Sequence, residues 1–189
     1  MVLTEEKRVL IDRERYEVNA KIAQAYYAAY DQKAVKDGAT YADWVYAPHA
    51  TYWSPYFGNG MIDLETNPIS VKDSAMLEAL SYSIEFSDWG PVGFESFPSI
   101  HGVAWKTHFG GHRRSDGVFM DFFAYSYIRT NEYGEIAHWE THVNGDYNDF
   151  LQVAIGDHGP YRNGADVYME AVMKKLASAG IDIRKLMSR

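Results

Sequence analysis

From "FESFPSIHGVAWKTHF" onward apolar residues recur at every second position, and this change of repeat constrains the fold more than any other feature of the chain. The alternation predicts strands near residues 99 to 109, 118 to 129 and 135 to 144. "GGHRRSDG" and "NEYG" supply the turns of an antiparallel meander. Ahead of this stretch the repeat is helical. Thr4 is placed to cap a first helix whose opening turn carries Glu5 and Glu6, and Val18, Ile22, Ala23, Tyr26, Tyr27 and Tyr30 form its apolar stripe to about Asp31. "YADWVYAPHA" predicts a shorter helix that stops near Pro48, and "TYWSPYFG" a short strand or extended edge. Ser70 is the cap of a further helix bearing Leu77, Leu80 and Ile84. A last one spans about Asp166 to Ala179, with Met169, Val172, Met173 and Leu176 inward and Gly180 ending it. Helices followed by a run of strands is the α+β pattern, expected here as a single domain over residues 1–189 with a C-terminal helical extension from about 160.

Charge and composition remove several functions. Eighteen Lys and Arg against 26 Asp and Glu give a net charge of -8, which repels phosphate backbones and anionic lipid, so neither nucleic acid nor membrane is an expected partner. The absence of cysteine removes disulfides, thiolate nucleophiles and Cys-containing zinc sites. "MVLTEEKRVL" places acidic residues where a signal peptide needs an apolar stretch, and no membrane-length apolar run follows, so a cytoplasmic protein is expected.

"GEIAHWETHVNGD" puts His138, Glu140, His142 and Asn144 on one strand face and Ala137, Trp139, Thr141 and Val143 on the other. A rise of roughly 3.3 Å per residue separates the two histidine backbones by about 13 Å, which argues against one compact site holding both and against a shared metal ion. The seven histidines show no HxH or HExxH spacing, and "HFGGHRR" is expected to be a loop, so no metal is expected. No phosphate-cradling glycine loop and no GxSxG elbow occurs, so no cofactor is expected either.

The element order, with "AYDQKAV", "VYAPHATYWSPYFG" and "NEYGEIAHWETHVNGDYNDFLQVAIG", resembles the nuclear transport factor 2-like superfamily, in particular its SnoaL-like polyketide cyclase and scytalone dehydratase branch. The resemblance covers about residues 10 to 156 and implies a curved antiparallel sheet wrapped around helices into a cone-shaped pocket. Tyr30 and Asp31 match the catalytic Tyr-Asp pair of scytalone dehydratase, and His101 corresponds to the histidine that opens its first long strand. Tyr125 stands where its pocket asparagine would be and Ser54 where its second tyrosine would be, with Tyr52 and Tyr56 nearby.

Parity puts Asp121, Phe123, Tyr125, Tyr127 and Arg129 on one face of the middle strand, and the resemblance implies that this set lines the pocket. Asp121 and His142 are then candidate bases, with Glu140 as partner of His142 and Asn144 available to a substrate oxygen. Fifteen tyrosines and five tryptophans suit a flat ligand, with Tyr52, Trp53, Tyr56, Trp105 and Tyr125 as candidate contacts. With these residues, the resemblance implies a cofactor-free lyase or dehydratase that removes water or formaldehyde from an oxygenated aromatic compound, as in the superfamily's lyases of lignin-derived diarylpropanes, and a homo-oligomer, dimer or trimer, is expected. A cyclase or isomerase is the enzymatic alternative. A non-catalytic small subunit of a ring-hydroxylating dioxygenase is the other, matched by chain length and "YWSPYF", although "FPSIHGVAWK" lacks that group's arginine and asparagine.

Overall fold

The alternating stretch forms the middle of a six-stranded sheet. The computed structural model describes residues 7–31, 44–56, 61–66, 70–157 and 165–183. Strands β1 (Tyr46–Trp53), β2 (Ile62–Asp63), β3 (Gly90–Ser99), β4 (Gly102–His112), β5 (Phe119–Thr130) and β6 (Ile136–Val143) join in the order β2-β1-β6-β5-β4-β3. Helices α1 (Asp12–Tyr30), α2 (Val71–Tyr82), α3 (Asp146–Ile155) and α4 (Ala165–Ser178) complete the α+β architecture that the succession of repeats predicts.

The sheet is mixed, because β1 runs parallel to β6 while every other neighbouring pair is antiparallel. β1 occupies the second half of the segment expected to be the second helix; residues 41–43 of that segment lie outside the described residues. Pro48 has no N–H to continue a helix, whereas the strand absorbs it in a bulge where His49 takes φ 59 and four residues of β1, 47 to 50, lie opposite Ala137 of β6. Thr4, Glu5 and Glu6 also lie outside the described residues. Helix α1 starts only at Asp12, where the Glu14 carboxylate accepts the Ile11 N–H at 3.0 Å and pairs with Arg8 at 2.7 Å. Before it the chain is extended, and Leu10 N–H donates to the Glu132 carbonyl at 2.9 Å.

Three elements have no counterpart in the expected pattern: the two-residue β2, β3 and α3. β3 carries Pro91 and Pro98, which the edge of a sheet tolerates because one side of its backbone needs no partner. α3 buries Tyr147, Phe150, Leu151, Ala154 and Ile155, and Gly156 ends it with φ 73. "HFGGHRR" is not a loop: His108 to His112 close β4, and the turn begins after them.

Register fixes which face meets the helices. Trp105, Ser126 and Thr141 lie side by side across β4, β5 and β6, all buried. Tyr26 of α1 packs on Trp105 with ring centres 4.8 Å apart, and Tyr147 and Phe150 of α3 pack on Phe122 at 4.5 and 4.9 Å. The helix side of β5 is therefore Phe122, Ala124, Ser126 and Ile128. Asn19, fully buried, ties α1 to the far end of the sheet by donating to the Ser99 carbonyl at 2.8 Å and accepting from the Thr130 hydroxyl at 2.9 Å. One apolar core runs from Ile22 of α1 to Leu176 of α4.

Candidate functional site

Helix α2 positions a carboxylate inside this core. Ser70 caps it as expected, its hydroxyl accepting the Asp73 N–H at 3.2 Å, and Ala75, Leu77, Ser81 and Tyr82 are buried. The same register places Glu78 one turn before Tyr82 on the face toward the helices. Tyr168 of α4 donates its hydroxyl to Glu78 Oε1 at 2.8 Å, and the Tyr30 hydroxyl at the end of α1 is a second hydrogen-bond partner. Tyr82 hydrogen bonds to Tyr168, and Tyr147 of α3 lies 3.3 Å from the Tyr82 hydroxyl.

Burial pushes the Glu78 carboxyl up to about 7, since a charged group surrounded by protein loses its hydration; the bonds from Tyr168 and Tyr30 act in the opposite direction but do not cancel it. The phenols of Tyr26, Tyr30, Tyr52, Tyr82, Tyr147 and Tyr168 are all raised, first by burial, with the Glu78 charge adding to the rise. They remain protonated donors at neutral pH. Glu78 and Tyr30 nevertheless keep intermediate solvent exposure, the combination expected of deep side chains that line a recess rather than fill a core. On the same side of the sheet the Thr107 hydroxyl and the Trp89 and Trp139 indole N–H groups are buried with no hydrogen-bond partner among the described residues. Trp89 packs edge-on against Tyr82 and Tyr30, with ring centres 4.8 and 6.0 Å away. Unsatisfied donors of this kind cost about 1–3 kcal/mol each, and that of Trp89 belongs to a ring packed against two tyrosines of the Glu78 cluster.

The candidate residues read from the sequence divide between the two faces of the sheet. Tyr30 is part of the Glu78 cluster. Tyr52, Tyr56 and Trp105 are buried on the helix side; Tyr56 donates to Asn148 Oδ1 at 2.8 Å and its ring packs on Tyr147 at 4.9 Å. Asp31 follows Tyr30 in extended backbone, its N–H donating to the Tyr27 carbonyl at 3.1 Å.

The remaining candidates lie elsewhere. Asp121, Phe123, Tyr125, Tyr127 and Arg129 do not line the helix side as the resemblance implied, because Phe122, Ala124 and Ile128 take that face and parity sends their neighbours outward. On this outer face Asp121 binds His108 Nε2 at 2.6 Å, the His108 ring stacks on Phe123 at 4.4 Å, and Tyr125 is 43% exposed. Glu140 bridges the two histidines of β6, with His142 Nε2 at 2.5 Å and His138 Nε2 at 3.7 Å. The expectation that His138 and His142 are too far apart to share one site is thus corrected: the backbones are separated, but both rings turn toward the carboxylate between them. His138 is buried and bonded to the Thr51 hydroxyl at 2.8 Å, and Trp53 meets His142 edge-on at 5.6 Å. Asn144 is occupied structurally, accepting the Phe123 N–H at 2.9 Å and donating to Asp146 at 2.7 Å. His101 sits exposed in the β3–β4 turn. Tyr30 packs on Phe109, eight residues further along the hairpin, which separates the two by roughly 27 Å of strand. Among the described residues no group of three or more His, Asp or Glu has the arrangement of a metal site, and no helix is long and apolar enough to cross a membrane.

Glu78, Tyr82, Tyr147 and Tyr168 were not singled out by the sequence. The available signal was one carboxylate inside the apolar run "AMLEAL", four residues before a tyrosine.

Comparison with known proteins gives likeness at the level of solved structures. A phenazine biosynthesis-related protein from Pseudomonas aeruginosa matches with a TM-score of 0.43 and 13% identity, over 75% of this chain and 88% of its own. A steroid delta-isomerase from the same organism matches with a TM-score of 0.39 and 13% identity, over 91% of this chain and 98% of its own. A nuclear transport factor 2-like protein of unknown function from Burkholderia pseudomallei matches with a TM-score of 0.42 and 10% identity, over 72% and 97%. No protein-family model and no curated protein matches the chain.

Proposed function

We propose that this chain is a cofactor-free enzyme of nuclear transport factor 2-like fold that performs acid-base elimination on an oxygenated aromatic compound, with Glu78 as the proton-transferring group. The observation that carries the reading is a single carboxyl, pushed up to about 7, held by the phenols of Tyr30 and Tyr168 in an aromatic recess. A base with this proton affinity is half-ionised near neutrality, where it can both accept and return a proton.

In the forward step the Glu78 carboxylate takes a proton from the substrate carbon next to the one bearing the hydroxyl. The C–H pair becomes the new double bond, and the C–O pair leaves with the oxygen. Glu78 then returns its proton to that oxygen, so water departs and the carboxylate is restored. Once Glu78 has taken up the proton, the Tyr30 hydroxyl that donated to its carboxylate is free to turn to the departing oxygen, and the surrounding rings supply stacking surface for a substrate ring. Loss of formaldehyde uses the same parts: Glu78 takes the proton of a hydroxymethyl group, the O–H pair becomes the second C–O bond of formaldehyde, the broken carbon-carbon pair becomes the new double bond, and the hydroxyl on the neighbouring carbon leaves with its C–O pair and takes the proton back from Glu78 as water. Lignin-derived diarylpropanes contain both arrangements.

The experiment is turnover by the purified chain against a panel of lignin-derived dimers, with products separated and released formaldehyde measured. Wild-type protein should convert at least one member and Glu78→Gln should lose about 10²-fold or more in kcat/KM. Wild-type turnover by Glu78→Gln would overturn the assignment. Turnover only when a large dioxygenase subunit is added would favour the non-catalytic alternative.

A further inference from the structure

We propose that Tyr168 is a positioning residue of the Glu78 site, so that the C-terminal helix α4 sets the proton affinity of the group that performs the chemistry. This rests on the reading of Glu78 as the acid-base group, and it follows from hydrogen-bond directions.

A phenol has one proton to donate. Tyr168 gives its proton to Glu78 Oε1 at 2.8 Å, because a carboxylate can only accept. The Tyr168 oxygen, which also bonds to Tyr82, must therefore accept from it. Tyr82 has then spent its own proton, and Tyr147, 3.3 Å from the Tyr82 hydroxyl and hydrogen-bonded to Tyr168 as well, has its one proton to give to either of them. By either route the phenols of Tyr147 of α3 and Tyr82 of α2 direct their protons toward Tyr168 of α4, and Tyr168 directs its own to Glu78. A chain of donors aligned this way polarises toward its negative end and favours the ionised carboxylate.

The groups around Glu78 leave this role to few residues. Those electrostatically coupled to it among the described residues are Tyr26 and Tyr30 from α1, Tyr52 from β1, Tyr82 from α2 itself, Tyr147 from α3 and Tyr168 from α4. Among the described residues only Tyr30 and Tyr168 donate to the carboxyl, and the Tyr168 bond is the larger of the two influences that lower its proton affinity. Tyr30 lies at the end of α1 and remains partly exposed, which suits a group that meets the substrate. Tyr168 is 3% exposed, and α4 is fixed in place by fully buried Val172 and Leu176 and by the Lys175–Glu85 ion pair. Tyr168 thus holds the carboxyl from behind.

The test follows the carboxyl carbon of Glu78 by NMR in protein labelled at glutamate, with its resonance assigned by loss in Glu78→Gln. In Tyr168→Phe the midpoint should rise by about one pH unit, the tenfold change that one hydrogen bond to a charged group contributes. A difluorotyrosine installed at position 168, a stronger donor of nearly unchanged shape, should move the midpoint the other way; this arm stands even where Tyr168→Phe fails to fold. An unmoved midpoint in both variants, or in folded Tyr168→Phe, overturns the proposal. The pH profile of kcat/KM is recorded alongside. A titration that moves while the rate profile stays fixed upholds Tyr168 as the residue tuning Glu78 and refutes Glu78 as the catalytic group.

Discussion

Replacing Glu78 by glutamine should make the protein more stable at alkaline pH while removing its activity. The folded protein holds the carboxyl at about 7 against an ordinary value of 4.5. The folded state therefore binds its proton more tightly than the unfolded chain, and stability must fall as pH rises between those two values. Below about 4.5 both states are protonated and nothing is lost; above about 7 the full cost applies. At about 1.4 kcal/mol per unit, the cost is on the order of 3 kcal/mol. Glutamine has the same shape, keeps a carbonyl to accept the Tyr168 hydroxyl and has nothing to ionise. Other titrating groups act equally in both proteins, so they cancel in the difference. The stability of Glu78→Gln relative to wild type, from urea midpoints between pH 4 and pH 8, should rise by about 3 kcal/mol, equivalent to roughly 6–12 °C in Tm for a chain of this size. A difference that stays constant across the range would show that Glu78 is solvated like a surface carboxylate, and the recess would lose its acid-base group.

Tyr30→Phe should lower kcat by about 10- to 100-fold without changing the Tm by more than a few degrees, because it removes one donor from the recess while leaving the ring in place; wild-type kinetics would exclude Tyr30 from the site. His142→Ala should keep kcat/KM within about twofold, since His142 faces away from the helices, whereas His138→Ala should cost about 1–3 kcal/mol in stability through loss of a buried ring bonded to Thr51. Loss of activity in folded His142→Ala would move the chemistry to the outer face. Activity should survive exhaustive chelation and dialysis; loss restored by one divalent ion would contradict a mechanism built on a carboxyl and phenols alone.

Long periodic segments were legible in the sequence. The stripe of α1 and the cap of α2 follow directly from side-chain spacing, and the β5 and β6 boundaries lie within a residue or two of expectation. Other elements were obscured by local composition. The two prolines of β3 hid an edge strand, and a proline in β1 looked like a helix stop because the parallel partner that absorbs its bulge lies some ninety residues away. The α3 pattern is present in "DYNDFLQVAI", but the helix begins three residues after β6 ends and has no side-chain cap at Gly145 to mark its start. Parity separated the faces of β5 and β6 correctly but could not say which one the helices cover. The covering aromatics, Tyr26, Tyr147 and Phe150, come from distant segments. Glu78 escaped for a related reason: its proton affinity is raised by burial among elements distant in sequence and moderated by Tyr30 of α1 and Tyr168 of α4, so no local pattern could announce it.

The two faces of the sheet offer alternative locations for the chemistry, and a crystal structure of Glu78→Gln with an unreacted diarylpropane distinguishes them directly. The account predicts the ligand on the helix side, its leaving oxygen within about 3 Å of the residue 78 side chain or the Tyr30 hydroxyl, the reach of a proton transfer. A ligand seated on the outer face against His138, Glu140 and His142 would contradict it.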